Sequence, residues 1–194
     1  MRLLLFQLLN HPADAIGGGG KGTAAQVRVG TWWQELRIQH GFTSRWGVVV
    51  EAQTASWNRW QPSLGIFSTW YDGPIRLTGT VLGGWLYQSG PIPRNGPSVE
   101  ARLQLSKPIG RFRPWLLLGT KHSFGYQRNE IQTVEETLIE DSLQMEWTLT
   151  GNLGLAIGIH KEWEMGLGLD FPWVNYPSIT IPGAHISIAY RGAP

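Results

Sequence analysis

The sequence predicts an all-β fold: an antiparallel, up-and-down transmembrane β-barrel of about ten strands, with eight as the alternative. Three observations lead there. The stretch 142–159, SLQMEWTLTGNLGLAIGI, alternates apolar with polar or small residues without interruption. Charged residues make up 15% of the chain, below the quarter or so usual in soluble domains, while tryptophan reaches 11 and glycine 25. No run of about 18 apolar residues occurs, so the apolarity is carried by alternation and not by a spanning helix.

In 142–159 the odd positions are Leu143, Met145, Trp147, Leu149, Gly151, Leu153, Leu155, Ile157 and Ile159. The even positions are Ser142, Gln144, Glu146, Thr148, Thr150, Asn152, Gly154, Ala156 and Gly158. Successive side chains on a strand point to opposite faces, so one face is oily and the other polar or tightly packed. A helix cannot use this pattern, because a period of two spreads apolar groups around a period of 3.6. Ordinary strands run about five or six residues, whereas a tilted strand crosses a bilayer in roughly 9–11. A long strand of a soluble sandwich is the competing reading.

The 194 residues suit one domain, and a net charge of +2 is too small to indicate a nucleic-acid partner. The absence of cysteine excludes disulfides and thiolate metal sites. Residues 1–15 have the parts of a secretory signal: Arg2, an apolar core Leu3–Leu9, a break at Pro12, and Ala13-Asp14-Ala15. Cleavage is expected after Ala15; an interfacial or disordered segment is the alternative. Residues 16–24 read as a flexible Gly-rich lead. They do not form a phosphate loop, since Ala15 stands where the first glycine belongs and Gly22 where the hydroxyl belongs. The barrel is expected over 25–191, with 192–194 as a tail.

From Ala25 the alternation recurs segment by segment. Val27 and Val29 oppose Gln26 and Arg28; Leu36, Ile38 and His40 oppose Glu35, Arg37 and Gln39; Val48 and Val50 oppose Glu51 and Gln53, with Val49 breaking the pattern. Leu64, Ile66 and Trp70 make a weaker strand, and Asp72-Gly73 is a hairpin signal. Ile75, Leu77 and Val81 oppose Arg76, Thr78 and Thr80; Val99, Leu103 and Leu105 oppose Glu100, Arg102 and Gln104. Phe112, Leu116 and Leu118 oppose Arg111, Arg113 and Lys121; Met165, Leu167 and Leu169 oppose Glu164 and Asp170; Ile186 and Ile188 oppose His185 and Ser187. Thr43–Arg45, Asp72-Gly73, Pro108–Gly110 and His160-Lys161 are tight connections. Asn58–Pro62, Gln88–Pro97, Gln127–Asp141 and Pro172–Pro182 are expected to be longer loops. Short and long connections alternate, as in an up-and-down barrel. Ten strands require a turn near Trp33–Glu35.

Over Ala25–Arg191 the chain resembles the small bacterial outer-membrane barrels, in pattern and not through a diagnostic motif. Such proteins close on an alternating strand ending in an aromatic residue, and His185–Tyr190 looks like that signal. Arg191-Gly192-Ala193-Pro194 then follow, which departs from the family pattern. The resemblance implies a bacterial outer-membrane location, contact with outer-membrane lipid and lipopolysaccharide, and room for a protein partner at the outer loops. It implies no cofactor.

On this reading the apolar faces meet lipid, and aromatic residues near strand ends form interfacial girdles: Trp33, Trp46, Trp70, Tyr87, Phe112, Tyr126, Trp163 and Trp173. The opposite faces carry a polar network of Arg28, Arg37, Glu51, Arg76, Glu100, Arg102, Arg111, Arg113, Lys121, Glu146, Glu164 and Asp170. Enclosed charges are tolerable only when paired, and a small barrel is just filled by its own side chains. A salt-bridged interior is therefore expected, and inner-face glycines 154, 158, 166 and 168 are expected to accommodate large neighbours more than water.

No catalytic residue is assigned. Some small outer-membrane barrels that this chain resembles are lipid A–modifying hydrolases with a lipid-facing His and Ser two apart on a strand. Here Phe124 stands where that serine would follow His122, and Ser123 points to the other face. No metal site is assigned either: the histidines are scattered, and the acidic stretch Asn129–Asp141 reads as a solvated loop. The expected role is structural or surface-interactive. A narrow passive pore, a lipid A–modifying enzyme and a soluble lipocalin-like binder are the alternatives.

Overall fold

The structure is a computed structural model that describes residues 21–31, 33–55, 59–89, 94–132, 137–174 and 182–192; the side chains of 126–132, 137–141, 144 and 172–174 also lie outside the description. The segment proposed as a signal, 1–15, and most of the Gly-rich lead are among the residues not described.

Ten strands follow one another: β1 (Gly22–Gly30), β2 (Gln34–Gly41), β3 (Trp46–Ala55), β4 (Arg59–Asp72), β5 (Arg76–Gln88), β6 (Arg94–Ser106), β7 (Phe112–Gln132), β8 (Thr137–Gly158), β9 (Trp163–Val174) and β10 (Gly183–Arg191). Each pairs antiparallel with its sequence neighbours, and β1 pairs with β10 from Ala24↔Arg191 to Gly30↔His185, which closes the barrel. Closure removes the two open edges that would otherwise expose unpaired backbone groups. The first turn falls at 31–33, so the first two segments are separate strands and the count is ten.

The alternation decides which face turns inward. Leu64 is 62% exposed and Leu167 50%, while Glu164 is 4% exposed. Val27, Ile38, Val50, Ile66, Val81, Val99, Leu118, Leu153 and Ile186 likewise face outward, one or more from every strand. This excludes the lipocalin-like alternative, in which those side chains would line the centre. An exterior of this kind is unstable in water, because the apolar rows of all ten strands are contiguous.

The tight connections hold. The β6–β7 turn needs a residue at positive φ, and Gly110 supplies it at 61°. All four connections expected to be long are shorter, because strand pairing continues into them; Pro172–Val174 belong to β9. Arg59–Pro62 belongs to β4 and Arg94–Pro97 to β6. Proline can join a strand where no ladder donor is needed. Pairing with β5 lapses at Gln61 and Pro62, and pairing with β7 lapses at Gly96 and Pro97. Most of Gln127–Asp141 is strand as well: Gln127↔Ser142 through Gln132↔Thr137 continue the β7–β8 ladder past Asn95↔Tyr126, the last pair between β6 and β7. The two strands run 21 and 22 residues and form a ribbon rising above the barrel wall. The connection 175–181 is not described.

Candidate functional site

The lumen is where charge, burial and space coincide. It is built in layers. At the tight-turn end, Glu164 on β9 takes Arg113 from β7 at 3.0 Å and also Arg191 from β10, and Asp72 takes Arg76 at 2.9 Å. Here Trp115 packs with Ala24, Ala156 and Ala189, and Phe67 with Val49 and Leu82. The small residues of β1, β8 and β10 make room for the indole. The space above Gly154 is filled by Trp115, whose Cζ2 would lie 2.4 Å from an added Cβ. The space above Gly168 is filled by the His185 ring. Both positions therefore carry packed side chains.

One layer up, Asp170 is enclosed by His185 and Asn152. His185 Nδ1 lies 3.0 Å from Asp170 Oδ2, Asn152 donates to the other carboxylate oxygen, and the imidazole stacks on Trp115 at 5.6 Å between centroids.

Arg102 lies in the middle layer of the lumen. Its guanidinium leaves β6, passes over the inner face of β5 and β4 to β3 and holds both oxygens of Glu51, at 2.5 and 2.7 Å, while its Nε donates to Glu100 at 2.5 Å. Gln53 extends the network, donating to Glu51 at 2.6 Å and Glu35 at 3.4 Å, and accepting from Lys121 at 3.3 Å. Arg28 pairs with Glu35 at 2.5 Å. Towards the long-connection end, Glu146 on β8 takes Arg94 and, at 3.6 Å, Arg59. Beside the Arg102 strut runs a cavity of about 170 Å³, whose wall includes Arg28, Arg37, Arg59, Lys121, Glu100 and Glu146, with Trp115 at its tight-turn end.

Of the residues expected on the inner face, Arg28, Arg37, Glu51, Arg76, Glu100, Arg102, Arg113, Lys121, Glu146, Glu164 and Asp170 are buried or half-buried within this system. Arg111 is not: it lies exposed in the β6–β7 turn, because the strand starts one residue later, at Phe112. Sequence reasoning misses Arg59 and Arg94, which fall in the expected loops, and the interior apolar residues Phe67, Leu82, Leu86 and Trp115. Val49 carried the available signal, since its break in alternation marks an apolar side chain on the polar face.

Outside, Trp46, Trp70, Phe112 and Trp163 are exposed at the tight-turn end, joined by Phe42, Tyr71 and Tyr190. Tyr87 is exposed at the other end, with Trp60 and Trp85. Trp60 and Trp70 lie at opposite ends of β4. Ten residues of rise cover roughly 33 Å, and a tilt of about 40° brings this to about 25 Å, the height of an outer-membrane apolar band. Trp33 departs from the girdle expectation: in the β1–β2 turn it folds over the lumen mouth, with Arg28 Cζ 5.9 Å from its ring. The side chains of Tyr126 and Trp173 lie outside the described residues.

His122 and Ser123 do not form a dyad. Ser123 is buried towards the lumen, and His122 Nε2 lies 3.3 Å from Thr120 Oγ1. Among the described residues, no group of three or more His, Asp or Glu is placed to hold a metal ion.

A closed antiparallel sheet with an apolar exterior and an ionic interior defines the class: the chain has the fold of an outer-membrane β-barrel. It is similar to the N-terminal β-barrel domain of Pseudomonas aeruginosa OprF, at 12% identity over 87% of this chain and 93% of that one, with a TM-score of 0.39. It is also similar to the NanC porin, at 10% identity over 87% and 98% of the two chains and a TM-score of 0.41. A third similar structure is Neisserial surface protein A, at 11% identity over 88% and 94% and a TM-score of 0.35. No family model matches the sequence. No curated protein matches it.

Proposed function

We propose that this protein is a bacterial outer-membrane barrel with a closed lumen, serving a structural or surface-interaction role. The observation that carries the reading is the Arg102 strut, which ties β6 to β3 inside the lumen, over β5 and β4, through both oxygens of Glu51. An open pore keeps its charged side chains along the wall; here one leaves the wall, cuts a chord through the lumen and is held by carboxylates of β3 and β6, which narrows the passage. The apolar clusters around Trp115 and Phe67 add a second obstruction near the tight turns. The contiguous apolar exterior supports contact with outer-membrane lipid, and the β7–β8 ribbon supports contact with lipopolysaccharide or a protein partner beyond the bilayer.

Reconstitution into planar bilayers tests the closed lumen. The wild-type barrel is expected to insert without steady ion conductance, and Arg102→Ala to introduce conductance steps. Steady conductance by the wild type would favour the narrow-pore reading instead. Recovery in the outer-membrane fraction with heat-modifiable gel mobility tests the location.

A further inference from the structure

Arg102 takes two carboxylates, and those two are the ladder partners of two other cations. Glu51 stands opposite Arg37 between β2 and β3, and Glu100 stands opposite Lys121 between β6 and β7. Cross-strand neighbours of opposite charge normally pair. Here Arg102 holds both Glu51 oxygens and draws Glu100 to its Nε at 2.5 Å. Lys121 is left with an amide, Gln53 Oε1 at 3.3 Å. Arg37 is 5% exposed, and its Nε and Nη2 are buried without a hydrogen-bond partner.

Both cations line the same cavity, and Gln53, which contacts Lys121, sits two residues from the carboxylate opposite Arg37. Around this cavity six cations (Arg28, Arg37, Arg59, Arg94, Arg102 and Lys121) meet four carboxylates (Glu35, Glu51, Glu100 and Glu146) among the described residues. Burying a charge or an unpaired guanidinium N–H is costly, so such groups normally have a counter-charge. The volume of about 170 Å³ is close to that of a cavity that takes one benzene-sized molecule.

We infer that the lumen holds a binding site for one small oxyanion, inorganic or carboxylate, between Arg37 and Lys121. Arg37 offers a planar fork suited to two oxygens of one anionic group, and Lys121 a point charge from the opposite wall. Arg102 shapes the site without being its ligand, by taking the hydrogen bonds of Glu51 and Glu100 that the two cations would otherwise receive. The site stands whether or not the barrel conducts.

The test is isothermal titration calorimetry on the full-length barrel in detergent, with sodium sulfate and sodium succinate as separate probes. Sodium chloride at matched ionic strength is the reference. One or both probes are expected to bind saturably at one site, and the stronger one assigns the site to inorganic oxyanions or to carboxylates. Arg37→Gln and Lys121→Gln should each weaken binding at least tenfold. Glu100→Gln, which removes a competing negative charge, should tighten it. Lys121→Gln and Glu100→Gln keep the test decisive should the Arg37 variant fail to fold. Absence of saturable binding of either probe to the wild type, or equal binding by the wild type and Lys121→Gln, would overturn the inference. Conductance, measured separately, reports on lumen closure alone.

Discussion

Arg102 on β6 and Glu51 on β3 meet inside the barrel over the two intervening strands, joined by two hydrogen bonds of 2.5 and 2.7 Å, and both side chains are almost fully enclosed. Taking either charge out of water is expensive, and each is tolerable here because the other is present. Breaking such a pair costs far more than never having built it. Glu51→Met and Arg102→Met are each expected to lose about 3–5 kcal/mol of unfolding free energy. The double variant should lose less than the two single losses added together, since neither member of the pair is left without the other and Lys121 can turn to Glu100. Urea unfolding in micelles, followed by tryptophan fluorescence, measures all three. Strictly additive losses would show that the two residues act independently.

The exterior makes a depth-dependent prediction. Ile66 lies near the middle of β4 and faces outward, between the aromatic residues at either end of the strand. Ile66→Arg places a guanidinium near the bilayer midplane and is expected to cost about 2–4 kcal/mol, while Phe42→Arg, in the tight β2–β3 turn, should cost about 0–1 kcal/mol. Folding into liposomes reads the difference. Equal costs would mean that the apolar band does not sit across the bilayer.

The barrel was legible in the sequence because lipid imposes one rule on every strand: its outward residues must be apolar. Val27–Val29, Leu103–Leu105 and Ile186–Ile188 all follow it. Ion pairing was not legible. The inner-face charges could be named, but which carboxylate Arg102 takes depends on which wall lies across the lumen, and that follows from closure and shear. The interior apolar residues were hidden for a related reason. Phe67 and Leu82 sit on the polar face, where a packed barrel needs volume as well as charge, so alternation alone misreads them. Arg59 and Arg94 were lost to proline-marked loops that pair as strand.

Glycine positions separate packing from open space. A Cβ at Gly154 would lie 2.4 Å from the Leu167 carbonyl oxygen and from Trp115 Cζ2, whereas one at Gly83 would meet nothing within 4 Å. The carbonyl cannot move without disturbing the β8–β9 ladder, and overpacking of this kind costs about 1–3 kcal/mol. Gly154→Ala should therefore destabilise by that amount, with a change in near-ultraviolet circular dichroism as the Trp115 environment shifts. Gly83→Ala should stay within about 0.5 kcal/mol of wild type. The reverse order would mean that the indole does not occupy the space above Gly154.

The β7–β8 ribbon can be removed without opening the barrel. Beyond Tyr126 on β7 and before Thr148 on β8, the two strands pair with each other and, among the described residues, with no other strand. A segment supported on one side only contributes to its own hairpin and not to closure. Arg128 and Asp141 are opposite each other in the ladder, so an Asn-Gly turn can join them in place of residues 129–140. The shortened protein is expected to fold, to keep its heat-modifiable mobility and to change in unfolding free energy by less than about 1 kcal/mol. Binding to isolated lipopolysaccharide, or to a protein captured through the ribbon, should fall with its removal. A shortened chain that no longer folds would assign the ribbon to the barrel's stability, and unchanged binding would move the interaction surface elsewhere on the rim.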